Sequence, residues 1–307
     1  MDKSKSKKKF NFKNNKEYKI KQLSKKNQNK NNLGYISRRG YTIKKVDYPS
    51  SLINEIRKEL TIKPILTDDY GIPPDPFPIY LENINKLYLP KFYGLKKLGP
   101  PAEYKITEGD DININFNSSL REHQLIPVQK ALEAYENDGG GMLSMGCGQG
   151  KTVCALYLIS VMKKKALVVV NRDFLLNQWK ERISQFTDAR IGIIKQNIID
   201  IEDKDIVVGM LHSLSMRDYA EDTFNCFGHV IIDEAHHIGT KVFSRCLPKI
   251  SSPYMLGLSA TPDRKDGLGV VFEWYMGPLF YSTKNKNTNK VLVKSVKYFG
   301  DSKCHEE

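Results

Sequence analysis

The stretch Met142-Leu143-Ser144-Met145-Gly146-Cys147-Gly148-Gln149-Gly150-Lys151-Thr152 reads as a short buried strand, a glycine-rich turn and the start of a helix that continues to Met162. Glycines at 148 and 150 let backbone N–H groups close around phosphate oxygens, and a helix N-terminus adds the positive end of its dipole. Lys151 then reaches the outer phosphates of a nucleotide, and the Thr152 hydroxyl is placed to ligate Mg²⁺. The strict phosphate-loop pattern has glycine where Met145 stands, and G-x-G-K-T by itself also serves as a plain loop cap. A strand before it and a helix after it favour the nucleotide reading.

Four more apolar runs follow, Ala166–Val170, Asp205–Val208, His229–Asp233 and Tyr254–Leu258, alternating with helical stretches such as Phe174–Phe186. Short apolar runs that do not alternate with polar residues are what strands buried on both faces look like, and interleaved helices imply parallel crossovers. The expected fold is therefore an α/β parallel sheet with helices on both faces, binding ligands beyond the carboxyl ends of its strands. Two such ends carry chemistry. In Val230-Ile231-Ile232-Asp233-Glu234-Ala235-His236, Asp233 is the candidate metal carboxylate and Glu234 the general base or water-orienting group facing a γ-phosphate. His236 and His237, being adjacent, lack the spacing of metal ligands. In Gly257-Leu258-Ser259-Ala260-Thr261-Pro262 the hydroxyl residues alone could be strand-end turn chemistry.

The order of these segments resembles the first RecA-like domain of superfamily 2 helicases from Leu120 to about Ser282. The matching residues are Leu120-Arg121 with Gln124, the loop 145–152, NRDFLLNQW at 171–179, VVGMLHSL at 207–214, DEAH at 233–236 and SAT at 259–261. The resemblance implies a RecA-like P-loop NTPase fold that uses ATP and Mg²⁺. It implies that Gln124 contacts adenine, that Met145, Gly146, Cys147, Gly148, Gln149, Gly150, Lys151 and Thr152 surround the phosphates, and that Lys151, Asp233 and Glu234 carry hydrolysis. Thr152 and Asp233 would hold the Mg²⁺, and His236 with Ser259 and Thr261 would couple hydrolysis to nucleic acid. Arg172 and Ser213 would touch the phosphodiester backbone. GLSATPDRKDGL at 257–268 and FEWYMGPLFY at 272–281 are similar to the branch holding XPB-type repair translocases, phage branch-migration helicases and type III restriction subunits, which act on DNA duplexes. LTIKP at 60–64, FPIYLE at 77–82 and LPKFYGLKKLGPP at 89–101 are similar to the leader domain of transcript-release helicases of poxviruses and other large DNA viruses. A transcription complex is thus an implied partner.

Charge is unevenly placed. The chain of 307 residues has a net charge of +13, and residues 1–32 hold twelve lysines against Asp2 and Glu17. Such a lysine and asparagine block cannot bury enough apolar surface to order itself, so a disordered tail is expected, either drawn to polyanions or passively solubilising. No apolar run approaches the roughly 18 residues of a membrane span, so no membrane partner is expected. Cys147, Cys154, Cys226, Cys246 and Cys304 form no disulfide or zinc pattern, which fits an intracellular protein of the cytoplasm or a viral factory, with packaging in a virion as a further option.

The expected organisation is the tail 1–32, a small accessory α+β domain 33–117, the motor domain 118–283 and, from 284 to 307, the start of a linker to a second RecA-like domain. The accessory region should contain a helix at Ser50–Leu60 capped by Ser50 or Ser51, irregular chain at Tyr70–Pro78, and short strands around Ile79–Leu81 and Tyr88–Phe92. Val291–Phe299 reads as the strand leading out. The last arginine is Arg264, and the arginines that would complete the γ-phosphate site are expected from that second domain. The expected function is an ATP-dependent helicase or translocase acting on duplex DNA. An RNA helicase and a non-catalytic nucleotide-binding module are the alternatives.

Overall fold

The computed structural model describes residues 33–63, 75–234, 240–260 and 269–283. The expected tail, the strand at Val291–Phe299 and part of Tyr70–Pro78 lie outside them.

The described chain begins with β1 (Tyr35–Ser37) and β2 (Gly40–Lys44), followed by α1 (Ser50–Glu59), β3 (Thr61–Ile62), β4 (Phe77–Pro78), β5 (Leu81–Glu82), β6 (Lys86–Leu89), α2 (Lys91–Leu98) and β7 (Glu103–Tyr104). Five of these strands form one sheet in the order β5-β6-β2-β1-β7, and β3 pairs with β4 apart from it. Strand alternation makes that sheet two-faced. Ile36, Tyr41, Ile43, Leu87 and Leu89 are at most 1% exposed on one face, while Tyr35, Thr42 and Tyr88 are cross-strand partners on the other. Helix α1 runs as expected, but Pro49 occupies its N-cap and neither Ser50 nor Ser51 caps it. The expected strand at Tyr88–Phe92 stops at Leu89, because Pro90 has no N–H for a ladder and its fixed φ suits the entry to α2.

Next come α3 (Glu122–Asn137), β8 (Gly140–Ser144), α4 (Lys151–Met162), β9 (Ala166–Val170), α5 (Asp173–Phe186), β10 (Ile191–Lys195), β11 (Ile198–Ile199) and β12 (Ile206–Met210). They are followed by α6 (Leu211–Met216), β13 (His229–Ile232), α7 (Thr240–Ile250), β14 (Tyr254–Ser259), α8 (Gly269–Met276) and β15 (Leu279–Ser282). These strands form a sheet in the order β11-β10-β12-β9-β13-β14-β8-β15, parallel except where β11 folds back on β10. The apolar runs explain the layering. Ala166, Val168 and Val170 pack with α3, α4 and α5, and the alternate residues Leu167 and Val169 pack with α6, α7 and α8. Asp205 does not open β12 as its place in the apolar run implied. The strand begins at Ile206, and the Asp205 carboxylate before it accepts from the Arg190 guanidinium at 2.9 and 3.0 Å.

The smaller sheet docks on the α8 side. Tyr93 meets Trp274 edge to face at 5.3 Å, and the Tyr275 hydroxyl donates to Ile79 O at 2.6 Å. Lys91 sits fully inside the joint, donating to Pro253 O at 2.8 Å and to Gly139 O at 3.5 Å. It thereby fastens α2 to the residues entering β14 and β8. Burial pushes its ammonium down to about 7. The unfolded chain then binds the extra proton between about pH 7 and the ordinary lysine value, so stability should rise with pH across that window, by at most roughly 1.4 kcal/mol per pH unit. Chemical denaturation at pH 7 and pH 9 should show this gain in the wild type and a flatter profile in Lys91→Met.

Candidate nucleotide-binding site

The carboxyl ends of β8 and β13 open into a cleft of about 940 Å³ lined by Cys147, Gly148, Gly150, Lys151, Thr152, Asp233 and Glu234, with Gln124 and Arg172 on its walls. Gly148 and Gly150 take φ of +75° and +86°, a region that favours glycine. At Gly150 a Cβ would also lie 2.1 Å from the Gln124 amide nitrogen. Loop residues 146 and 149 brace the turn from behind, since Gln149 Oε1 accepts the Gly146 N–H at 2.9 Å. Met145, the departure from the strict pattern, has a fully buried side chain. Its backbone takes part instead, the carbonyl accepting from Lys151 Nζ at 3.0 Å. Lys151 is 8% exposed, so its ammonium is held at the loop rather than free in solvent.

Gln124 lies at the third position of α3, 3% exposed. Its Oε1 accepts the Arg121 N–H at 2.9 Å and its Nε2 donates to Gln149 O at 3.3 Å. The residue expected to read adenine is thus also a strut between the start of α3 and the phosphate loop.

Asp233 is 6% exposed at the tip of β13. Burial raises its carboxyl pKa, and a hydrogen bond from Trp179 opposes that rise. Trp179 Nε1 donates to Oδ2 at 2.7 Å, and the Glu234 N–H donates to Oδ1 at 3.0 Å. Glu234 itself stands at φ +50°, a left-handed conformation that costs of order 1 kcal/mol for a residue with a side chain and recurs at functional sites. Thr152 and Asp233 offer oxygen donors on the same cleft, the donor chemistry a hard cation such as Mg²⁺ takes.

Trp179 was legible only as part of NRDFLLNQW, and its partnership with Asp233 is a contact over 54 positions. Helix periodicity explains how α5 serves two sides. Leu175, Trp179 and Ile183 are buried, while Phe174, Gln178, Arg182 and Phe186, each one position earlier or three later, line the cleft.

Of the expected coupling residues, Ser259 is 6% exposed at the end of β14, and His236 and Thr261 lie outside the described residues. Arg172 is at the N-cap of α5 on the cleft wall. Ser213 is 8% exposed, with its Oγ accepting the Gln196 N–H at 2.8 Å, so its hydroxyl is engaged inside the protein.

A parallel sheet with a phosphate loop at one strand end and paired acids at another defines a RecA-like P-loop domain. Residues 117–264 match the family described as type III restriction enzyme, res subunit. A putative ATP-dependent RNA helicase of Acanthamoeba polyphaga mimivirus is 38% identical over 274 residues, covering 87% of this chain and 53% of that protein. DNA 3'-5' translocase XPB2 of Sulfurisphaera tokodaii is 36% identical over 162 residues, covering 53% of this chain and 35% of that protein. The chain is thus similar in sequence to proteins named as helicases and translocases. It spans about half or less of the length of these relatives. The UvsW helicase of bacteriophage T4 shares the fold, with a TM-score of 0.52 at 16% identity over 76% of this chain and 93% of that one.

Removing the indole donor should leave a buried carboxylate oxygen short of a partner. Trp179→Phe should lower unfolding free energy by about 1–3 kcal/mol. In a double-mutant cycle the same change made on an Asp233→Ala background should cost less, and equal losses on both backgrounds would show that the two side chains are uncoupled.

Proposed function

We propose that this chain is the ATP-binding part of a nucleic-acid-dependent motor that hydrolyses ATP with Mg²⁺ and acts on duplex DNA, in the transcription or repair of a large DNA virus. The observation that carries this reading is the grouping of Lys151, Thr152, Asp233 and Glu234 on one cleft at the end of two buried strands. Lys151 neutralises the outer phosphates, and the loop N–H groups bind their oxygens. Thr152 and Asp233 would hold the Mg²⁺, which supplies charge neutralisation at the phosphates. Glu234, on the left-handed turn beside Asp233, orients the attacking water and accepts its proton. Gln124 reads the adenine, and Ser259, with His236 and Thr261, links hydrolysis to bound nucleic acid. DNA is favoured by the likeness to a protein named as a DNA translocase, and duplex DNA by the resemblance at 257–268 and 272–281. The mimiviral relative is named for RNA, which supports RNA as the second reading. Stimulation of ATP hydrolysis by duplex DNA and not by RNA of the same sequence separates the two. No helix among the described residues is long and apolar enough to cross a membrane.

Two substitutions separate binding from chemistry. Lys151→Ala should weaken ATP binding at least about 10-fold by titration calorimetry, since it removes a cation aimed at the phosphates. Glu234→Gln should leave binding intact and lower turnover by about 10²-fold or more, the usual weight of a positioned general base. If Glu234→Gln changes nothing, the chain is a nucleotide-binding module and not a hydrolase.

The lysine-rich tail should add affinity without sequence preference. If its lysines neutralise phosphates, log K for duplex DNA falls with log salt by roughly 0.9 per phosphate contacted, and deleting residues 1–32 flattens that slope. An unchanged slope makes the tail a passive solubilising segment.

A further inference from the structure

We infer that the outward face of the small sheet is a stacking platform for single-stranded nucleic acid, a site separate from the nucleotide cleft. Register defines the platform. Tyr35 pairs with Thr42, Thr42 with Tyr88 and Tyr88 with Leu81, a row across four strands on the face opposite the core, in which Tyr35, Tyr88 and Leu81 line the groove while Thr42 between them is fully buried. Lys86 precedes Tyr88 by two positions and therefore shares its face. The core-facing row is wholly aliphatic or tyrosine and almost fully buried. Tyrosine and lysine on the outward row are therefore not there to fill a core.

Each ring is attended by a cation. Lys105 and Lys86 lie over the Tyr35 ring at 4.8 and 5.9 Å, and the Arg39 guanidinium lies over the Tyr88 ring at 5.2 Å. Aromatic faces flanked by mobile cations are the two components that bind single strands: rings stack bases and cations take phosphates. On binding, the lysines would exchange a ring face for a phosphate and leave the ring to a base.

The platform is also the floor of a groove of about 1180 Å³ whose far wall is the 218–225 segment and the end of α7. The two walls differ in charge. Arg38, Arg39, Lys86 and Lys105 line the sheet side with no acid among them, whereas the far wall mixes Asp218, Glu221 and Asp222 with Arg245 and Lys249, and Glu221 pairs with Arg39 at 2.7 Å. Carboxylates on that wall accept hydrogen bonds from base N–H groups, the N3–H of thymine and uracil included. A strand would thus lie with its backbone toward the lysines and its base edges toward the acids. A double helix hides its base faces by stacking them on one another, so the platform selects single strands. This inference deepens the nucleic-acid reading and rests on it, whereas ATP binding is read separately through Lys151.

The test uses the full chain without nucleotide and a fluorescein-labelled 20-residue oligothymidylate, compared by anisotropy with an abasic strand of the same length and charge. Tail lysines see only phosphates and affect both probes alike, so the ratio of affinities isolates stacking. The wild type should prefer the base-bearing strand by about 10-fold or more. Tyr35→Ala with Tyr88→Ala should erase that preference, and Tyr35→Phe with Tyr88→Phe should keep it. Oligouridylate in a parallel arm tells RNA from DNA. Equal binding of base-bearing and abasic strands by the wild type overturns the proposal whether or not the alanine variant folds.

Discussion

One indole N–H and one backbone N–H hold the Asp233 carboxylate where burial disfavours its charge. That arrangement follows from the sheet. The successive strands β9, β13 and β14 are buried along their lengths, so polar groups collect at the carboxyl ends, where backbone ladders stop and side chains meet the cleft. Tryptophan suits the role because it fills a core position and carries a single donor that must find a partner. Its helix is thereby fixed to β13 by one face while the next face forms the cleft wall. A displacement of α5 cannot leave the carboxylate unmoved.

Much of this was readable in the chain before any coordinates. Runs such as Ala166–Val170 have no alternation because both faces are covered, and the loop from Gly146 to Thr152 advertises itself through glycines that must take positive φ. Pairings that bring distant residues together were not readable. Nothing in the neighbourhood of Trp179 announces a carboxylate 54 positions later, and nothing around Lys91 marks it as the buried tie of two sheets. Local rules also lost to context at Ser50, where the proline before it took the capping position.

The two sheets obey different patterns for a physical reason. In the parallel sheet helices cover both faces, whereas the small sheet has helices and core on one face and a groove on the other. Alternation in such a sheet is a register constraint: a slip by one residue would exchange Tyr41 and Leu87 for Thr42 and Tyr88 and put a polar row into the core. The tyrosines of the platform are therefore held in line by the same burial that fixes Ile36, Tyr41 and Ile43.

The link between platform and cleft runs through the strands themselves. Lys91 grips the carbonyls of Gly139 and Pro253, which immediately precede β8 and β14. The opposite ends of those two strands carry the phosphate loop and Ser259. There the Met145 N–H donates to Ser259 O at 3.1 Å, so the pair is tied at the carboxyl end as well. Two adjacent parallel strands tied at both ends shear with difficulty, because five cross-strand register contacts would have to shift together. A strand of nucleic acid on the small sheet and a nucleotide in the cleft thus bear on one stiff element from its two ends. Relative motion between the two sites therefore cannot come from shear of β8 against β14.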